Sequence, residues 1–216
     1  MPVKKDLRNR ASEIFNRLKK HYPDSACSLV FQKPHELLVS TILSAQCTDK
    51  RVNQVTPGLF QKYPTPKAFA EADIDELIND IRSTGFYNNK AKAIKATMTD
   101  IVEKYNGNVP NRLDQLIQLR GVGRKTANVV LGDAFGIPGI VVDTHVKRIS
   151  NLLGLTKNDD PVKIEQDLMQ LFPPEQWTAL GHLFIDHGRA VCIARRPKCA
   201  ECFLNDICPS ADLSER

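Results

Sequence analysis

Four cysteines near the carboxyl end, in the pattern Cys192-x6-Cys199-x2-Cys202-x5-Cys208, have the spacing of ligands that gather on one metal centre. Thiolates bind soft metals. One tight Cys-x-x-Cys pair with a partner on either side lets a single compact loop wrap such a centre. Zinc sites usually present two short pairs with about a dozen or more residues between them, and only one short pair occurs here. That favours an iron–sulfur cluster. Zinc remains open, and so do disulfides, since the total of six cysteines is even. Met1-Pro2-Val3-Lys4-Lys5 runs into a polar helical pattern and reads as no secretory leader. A reducing, cytoplasmic setting is therefore expected, and it weighs against disulfides. Cys27 and Cys47 stand far upstream and are expected to be small buried apolar residues.

A second constellation lies at Leu119-Arg120-Gly121-Val122-Gly123-Arg124-Lys125-Thr126-Ala127. Two glycines between helical segments permit positive φ and close approach by another backbone. The amides of Gly121, Val122 and Gly123 are expected to face outward at a helix N-terminus, which binds an anion through main-chain donors and the helix dipole. A Walker loop needs four residues between its glycines, and a dinucleotide fingerprint needs a preceding strand, so neither applies. Lys125 sits in the first turn of the following helix beside Arg124. A lysine there can supply an amine nucleophile, and it can equally bind phosphate. Further on, Asp143 in Val141-Val142-Asp143-Thr144-His145 suits a helix N-cap, and a capping carboxylate can also serve chemistry.

These residues must be positioned by helices. Apolar side chains recur at helical spacing through Leu7–Leu18, Leu37–Leu43, Ile74–Ile81, Ala91–Tyr105, Leu113–Ile117, Ile164–Leu171 and Leu180–Phe184. The long helix carrying Ala91 is expected to open at Asn88 or Asn89, and Asn111 to cap the segment from Leu113. A helix from about Arg124 to Phe135 is expected to stop at Gly136. Pro57-Gly58 should kink or break the helix between Asp49 and Lys62, with Thr56 as a new cap. The run 137–142 is strand-like but has no partner, so the fold class is all-α. Of 216 residues 30 are basic and 25 acidic, a net charge of +5 that permits a polyanionic partner without demanding one. The basic residues crowd the two special segments: Arg189, Arg195, Arg196 and Lys198 near the cysteines, Arg120, Arg124 and Lys125 at the glycine turn. No apolar run reaches the length of a membrane span.

The segment 119–127 resembles the helix-hairpin-helix DNA-binding motif. Together with Val142-Asp143-Thr144-His145, Ser44-Ala45-Gln46, Gly85-Phe86-Tyr87-Asn88 and the cysteine spacing, it is similar to the endonuclease III family of base-excision repair DNA glycosylases over essentially the whole chain. The resemblance implies a [4Fe–4S] cluster on Cys192, Cys199, Cys202 and Cys208. It implies two helical domains: a six-helix barrel at residues 27–137 containing the hairpin, and residues 1–26 with 138–216, which end in the cluster loop. The implied partner is damaged double-stranded DNA, bound by a monomer acting at the nucleoid. Lys125 would attack C1′ of a damaged nucleotide, displacing an oxidised pyrimidine and leaving a Schiff base that cuts the strand by β-elimination. Asp143 would stabilise the sugar cation and assist proton transfer. Gln46 would fill the space of the flipped nucleotide and Phe86 would wedge beside the opposite base. Gly121, Val122, Gly123, Arg124, Arg195, Arg196 and Lys198 would bind the DNA backbone.

Three positions depart from the family pattern. Arg120 stands where proline is common, which could loosen the helix end or add a phosphate contact; Phe86 replaces leucine, and Cys47 replaces a small residue. An adenine-mismatch glycosylase lacks the lysine, and a non-catalytic hairpin module needs neither Lys125 nor Asp143, so both alternatives fit less well.

Overall fold

The computed structural model describes residues 2–211; Met1 and residues 212–216, which the expected outer domain includes, lie outside the described residues. Among the described residues the regular elements are all helical, and 137–142 is an extended connector. The chain divides into two compact units, a central one of Cys27–Ile137 and an outer one formed by the segments before and after it. The outer unit opens with α1 (Pro2–His21). The central unit holds α2 (Pro34–Leu43), α3 (Asp49–Lys62), α4 (Pro66–Glu71), α5 (Ile74–Ile81), α6 (Tyr87–Tyr105), α7 (Leu113–Leu116) and α8 (Arg124–Val129). The outer unit resumes with α9 (Thr144–Leu152), α10 (Pro161–Leu171) and α11 (Trp177–Ala190).

Helix starts follow local chemistry. Thr48, Thr65, Asp73 and Asp160 each accept a hydrogen bond from a first-turn amide of α3, α4, α5 and α10, and Pro34, Pro66 and Pro161 occupy first-turn positions where no amide is missed. In the central unit α6 packs against α2, α4 and α5, presenting fully buried Ala91, Ile94, Met98 and Ile101. In the outer unit Ala11, Ile14 and Leu18 of α1 join Val146, Ile149, Leu168 and Phe184 in a separate core. Each large apolar side chain so buried contributes about 2 kcal/mol, which outweighs weak local preferences.

Several boundaries differ from their sequence expectation. α3 runs unbroken through Pro57, and Thr56 is buried within it. Val52 and Leu59, buried on either side of the proline, hold both halves to the core despite the lost hydrogen bond. α6 begins at Tyr87, one residue before the first asparagine expected to open it, because Phe86 takes a left-handed conformation that ends the preceding turn. Asn111 is not a cap: α7 starts after Arg112 with no side-chain cap. Beyond Val129, α8 widens into a π turn at Val130–Ala134 and stops at Gly136, where φ is 64°.

Candidate active site and metal centre

α7 and α8 form the expected hairpin, joined by the glycine turn. The Val122 amide donates to the Leu119 carbonyl at 3.1 Å and its side chain is buried, so this amide does not face outward as expected. The amides of Gly121 and Gly123 make no such backbone bond among the described residues. The two glycines play different parts. Gly121 has φ 87°, and a Cβ on it would lie 3.2 Å from Cβ of Ala93 on α6. Gly123 is the N-cap of α8 at φ −90°, with open space where a Cβ would be.

α6 holds this turn from below. The Thr97 hydroxyl donates to the Arg120 carbonyl at 2.5 Å, while the amide and Nε of Arg120 donate to Oδ2 of buried Asp100 at 2.9 and 3.1 Å. Lys104 adds an ion pair to the other Asp100 oxygen at 2.9 Å. Burial pushes the Asp100 carboxyl up, but Lys104 and the amide and guanidinium of Arg120 more than offset this and hold it at about 2. Arg120 therefore fastens the helix end rather than loosening it: its amide, which a proline would lack, clamps the hairpin to α6, while its side chain stays 58% exposed.

Lys125 stands exposed in the first turn of α8, immediately beyond half-buried Arg124. Gln46 and Phe86 share an unusual backbone, with φ of 53° and 48°. Such values are uncommon outside glycine and are stored where the surrounding structure enforces them. Both side chains line one pocket of about 290 Å³ together with Gly121 and Thr126, and Phe86 is 62% exposed. The structure thus brings together Gln46, Phe86 and the glycine turn within the central unit. Cys47, next to Gln46, and Cys27 are half-buried against the same core.

Asp143 belongs to the outer unit, as the N-cap of α9, where Oδ1 accepts the amides of His145 and Val146, both at 2.8 Å. Its carboxylate keeps a second oxygen for other partners.

The cysteine loop also lies in the outer unit. None of the six cysteines is joined in a disulfide. Cys192, Cys199, Cys202 and Cys208 line one cavity of about 70 Å³, walled by Leu152 and Leu204 among other apolar side chains. No three His, Cys, Asp or Glu side chains are grouped to hold a single ion among the described residues. Sulfurs spread around a small apolar cavity suit a cluster, and burial pushes the thiols of Cys192, Cys202 and Cys208 up, so a thiolate set here needs a cationic centre. The Leu204 amide points at Sγ of Cys202, 3.4 Å away, as amides do around iron–sulfur thiolates. A bond from the Lys198 amide to the Val191 carbonyl, 3.0 Å, closes the six-residue gap and leaves Arg195, Arg196 and Lys198 exposed. Arg148 of α9 braces the loop by donating to the Cys192 carbonyl at 2.6 Å.

Sequence reasoning missed Lys90, Thr97 and Asp100, all buried on α6. Their signal was present: each places a polar side chain on the face carrying Ile94, Met98 and Ile101.

A helical fold with this hairpin defines a class, and residues 39–174 match the HhH-GPD superfamily of base excision DNA repair proteins. Residues 192–208, bounded by the first and last cysteines of the loop, match the iron–sulfur binding domain of endonuclease III. The chain belongs to the endonuclease III family. Endonuclease III of Synechocystis sp. is 56% identical over 208 residues, covering 96% of this chain and 95% of its own. A non-covalent endonuclease III–DNA complex superposes with a TM-score of 0.89 at 44% identity, covering 94% of this chain and 96% of that one. A trapped endonuclease III–DNA covalent intermediate gives 0.90 at the same identity and coverage. The protein is a DNA glycosylase and AP lyase of base-excision repair, and it carries a [4Fe–4S] cluster. No helix among the described residues is long and apolar enough to cross a membrane.

Proposed function

We propose that this enzyme, as a monomer, removes oxidised pyrimidines from duplex DNA with Lys125 as nucleophile and Asp143 as its carboxylate partner. The observation that carries the proposal is the placement of Lys125, exposed in the first turn of a helix whose glycine cap leaves room for a DNA backbone. Nζ, as the free amine, forms a bond to C1′ while the C1′–N1 bond breaks and the base leaves with its electron pair, to be protonated. Ring opening gives a protonated Schiff base. Loss of a C2′ proton to a base then expels the 3′ phosphate by β-elimination. Asp143, held by two α9 amides, stabilises positive charge on the sugar and relays protons.

The remaining sites serve binding. Gln46 fills the space of the extruded nucleotide, and Phe86 wedges beside the opposite base from the same pocket. Gly121 and Gly123 offer amides to phosphate, with Arg124 adjacent. Cys192, Cys199, Cys202 and Cys208 would hold the cluster, which when bound supplies four metal–thiolate bonds that close the loop and the capacity for one-electron transfer. Arg195, Arg196 and Lys198 then meet the DNA backbone. The central unit corresponds to the barrel domain and the outer unit to the cluster domain.

Borohydride trapping on an abasic-site duplex tests the chemistry. Lys125→Gln is expected to bind DNA as well as wild type while losing both base release and the trapped adduct. A phosphate-binding lysine would give the opposite, with affinity falling and turnover surviving at saturating protein. Asp143→Asn, which can still cap α9, should keep the fold and lose activity by about a hundredfold or more. Near-full activity in that variant would reduce Asp143 to a cap. Arg195→Ala with Arg196→Ala should lower the salt dependence of binding by about one unit per lost phosphate contact.

A further inference from the structure

We propose that Lys90 is a positioning residue for DNA insertion: its buried ammonium ties the turn that presents Gln46 to the turn that presents Phe86. The proposal rests on the reading of those two side chains as the inserting residues. Lys90 is 4% exposed, and Nζ donates to the carbonyls of Leu43 at 2.7 Å and Thr84 at 2.8 Å. Leu43 is the last residue of α2, just before the turn through Gln46; Thr84 ends the turn leading into Gly85 and Phe86. Both acceptors belong to helix ends, where carbonyls lack an intrahelical partner.

One cation therefore satisfies both ends at once, through charge-assisted bonds. What it holds is strained: Gln46 and Phe86 have positive φ, with Gly85 supplying the same hand of backbone between Thr84 and Phe86 at no cost. Strain of this kind persists only where the surroundings over-determine it. Lys90, Gln46 and Phe86 all line the same pocket. Burial pushes the Lys90 ammonium below its ordinary range, a cost that the two carbonyl acceptors offset in part.

A matched control stands on the same helix. Nζ of Lys95 donates to the carbonyls of Ala70 and Ala72 at 2.7 and 2.6 Å, the same chemistry at the end of α4, away from either inserting turn. Cluster-loaded Lys90→Met and Lys95→Met proteins should be compared in three assays. These are base release from a duplex bearing an oxidised pyrimidine, fluorescence of 2-aminopurine opposite the lesion, and borohydride trapping on a single-stranded abasic oligonucleotide, where no stack need be opened. Lys90→Met is expected to slow base release by about tenfold to a hundredfold and to blunt the fluorescence rise, while single-strand trapping stays near wild type. Lys95→Met should lower thermal stability alone. Should Lys90→Met not fold, Lys90→Gln takes its place with the same outcomes.

Equal loss in all three assays, or a Lys90→Met profile matching that of Lys95→Met, would overturn the proposal. A Gln46→Gly, Phe86→Gly double variant separates the two levels. If it opens the stack normally, the insertion reading itself fails; if it is impaired and Lys90→Met is not, only the role of Lys90 falls.

Discussion

The glycine turn of the hairpin and the cysteine loop are both irregular segments fastened to a long helix, but the fastenings differ in kind. α6 holds the hairpin with Thr97, Asp100 and the Ala93 contact, from side chains that are buried or nearly so. α1 reaches the cysteine loop with Arg10 to the Ile207 carbonyl, Arg17 to the Phe203 carbonyl and Asp206, and His21 stacked on Phe203 at 3.6 Å. The ion pair among them is solvated, with the Asp206 side chain 57% exposed, and the two carbonyl bonds are only partly buried. Solvated ion pairs contribute little, whereas a buried, fully hydrogen-bonded carboxylate is costly to disturb. The hairpin is thus fastened by protein contacts alone, whereas a loop closed by metal–thiolate bonds is expected to depend on its metal.

The sharpest way to break this contrast is to strip the cluster oxidatively and follow amide hydrogen exchange. Exchange across 192–208 should rise by about a hundredfold or more, while the amides of α6 and α8 change only marginally. Comparable loosening of both regions would refute a metal-dependent loop beside a self-sufficient hairpin.

Next in size is Asp100→Asn, which should destabilise the protein by about 2 kcal/mol in denaturant unfolding at neutral pH. The Asp100 carboxyl sits near 2, below its unfolded value, so its stabilisation is present above about pH 4 and is lost as pH falls through the folded value. Wild type and Asp100→Asn should therefore converge between pH 4 and 2. A constant gap would mean that the clamp does not depend on the charge of Asp100.

The two glycines sharpen the contrast within the hairpin. Gly121→Ala must place a Cβ at positive φ against Ala93 and should lose about 1–2 kcal/mol of stability. Gly123→Ala should melt like wild type and yet bind DNA more weakly, since only a phosphate would meet the new methyl. If both variants melt alike, the distinction between a folding glycine and a binding glycine is wrong. Arg17→Ala should have the smallest effect, a shift in melting temperature that shrinks at high salt, because two of its three partners are surface carboxylates.

What could be foreseen from sequence in these regions follows the same division. Thiolate spacing and paired glycines are properties of residue type, so the cysteine loop and the hairpin were legible before any coordinates. The first-turn place of Lys125 and the cap at Asp143 were legible from their positions beside helices, while the roles proposed for them rest on the family motif. What the fasteners hold was not legible, although polar residues on the apolar face of α6 marked that something was held. Lys90, Lys95 and Thr97 end on backbone carbonyls, which every residue possesses, so no sequence pattern names the acceptor. The unbroken α3 was hidden for a related reason: Pro57 is a local breaker, and the packing of Val52 and Leu59 that overrides it is set by the whole unit. Left-handed Phe86 was the least foreseeable, since an aromatic residue is among the poorer choices for that backbone.

The conformation at Phe86 has an evolutionary consequence. Its side chain projects into solvent and its backbone is fixed by the turn behind it, so the ring can be exchanged without repacking a core. Heat resistance imposes no preference for a phenyl group there, since glycine would suit the dihedral angles better. On the proposed role, contact with DNA is what selects the side chain at the tip. On that reading residue 86 should tolerate exchange among apolar shapes, whereas the lysine-tied mount beneath it should not.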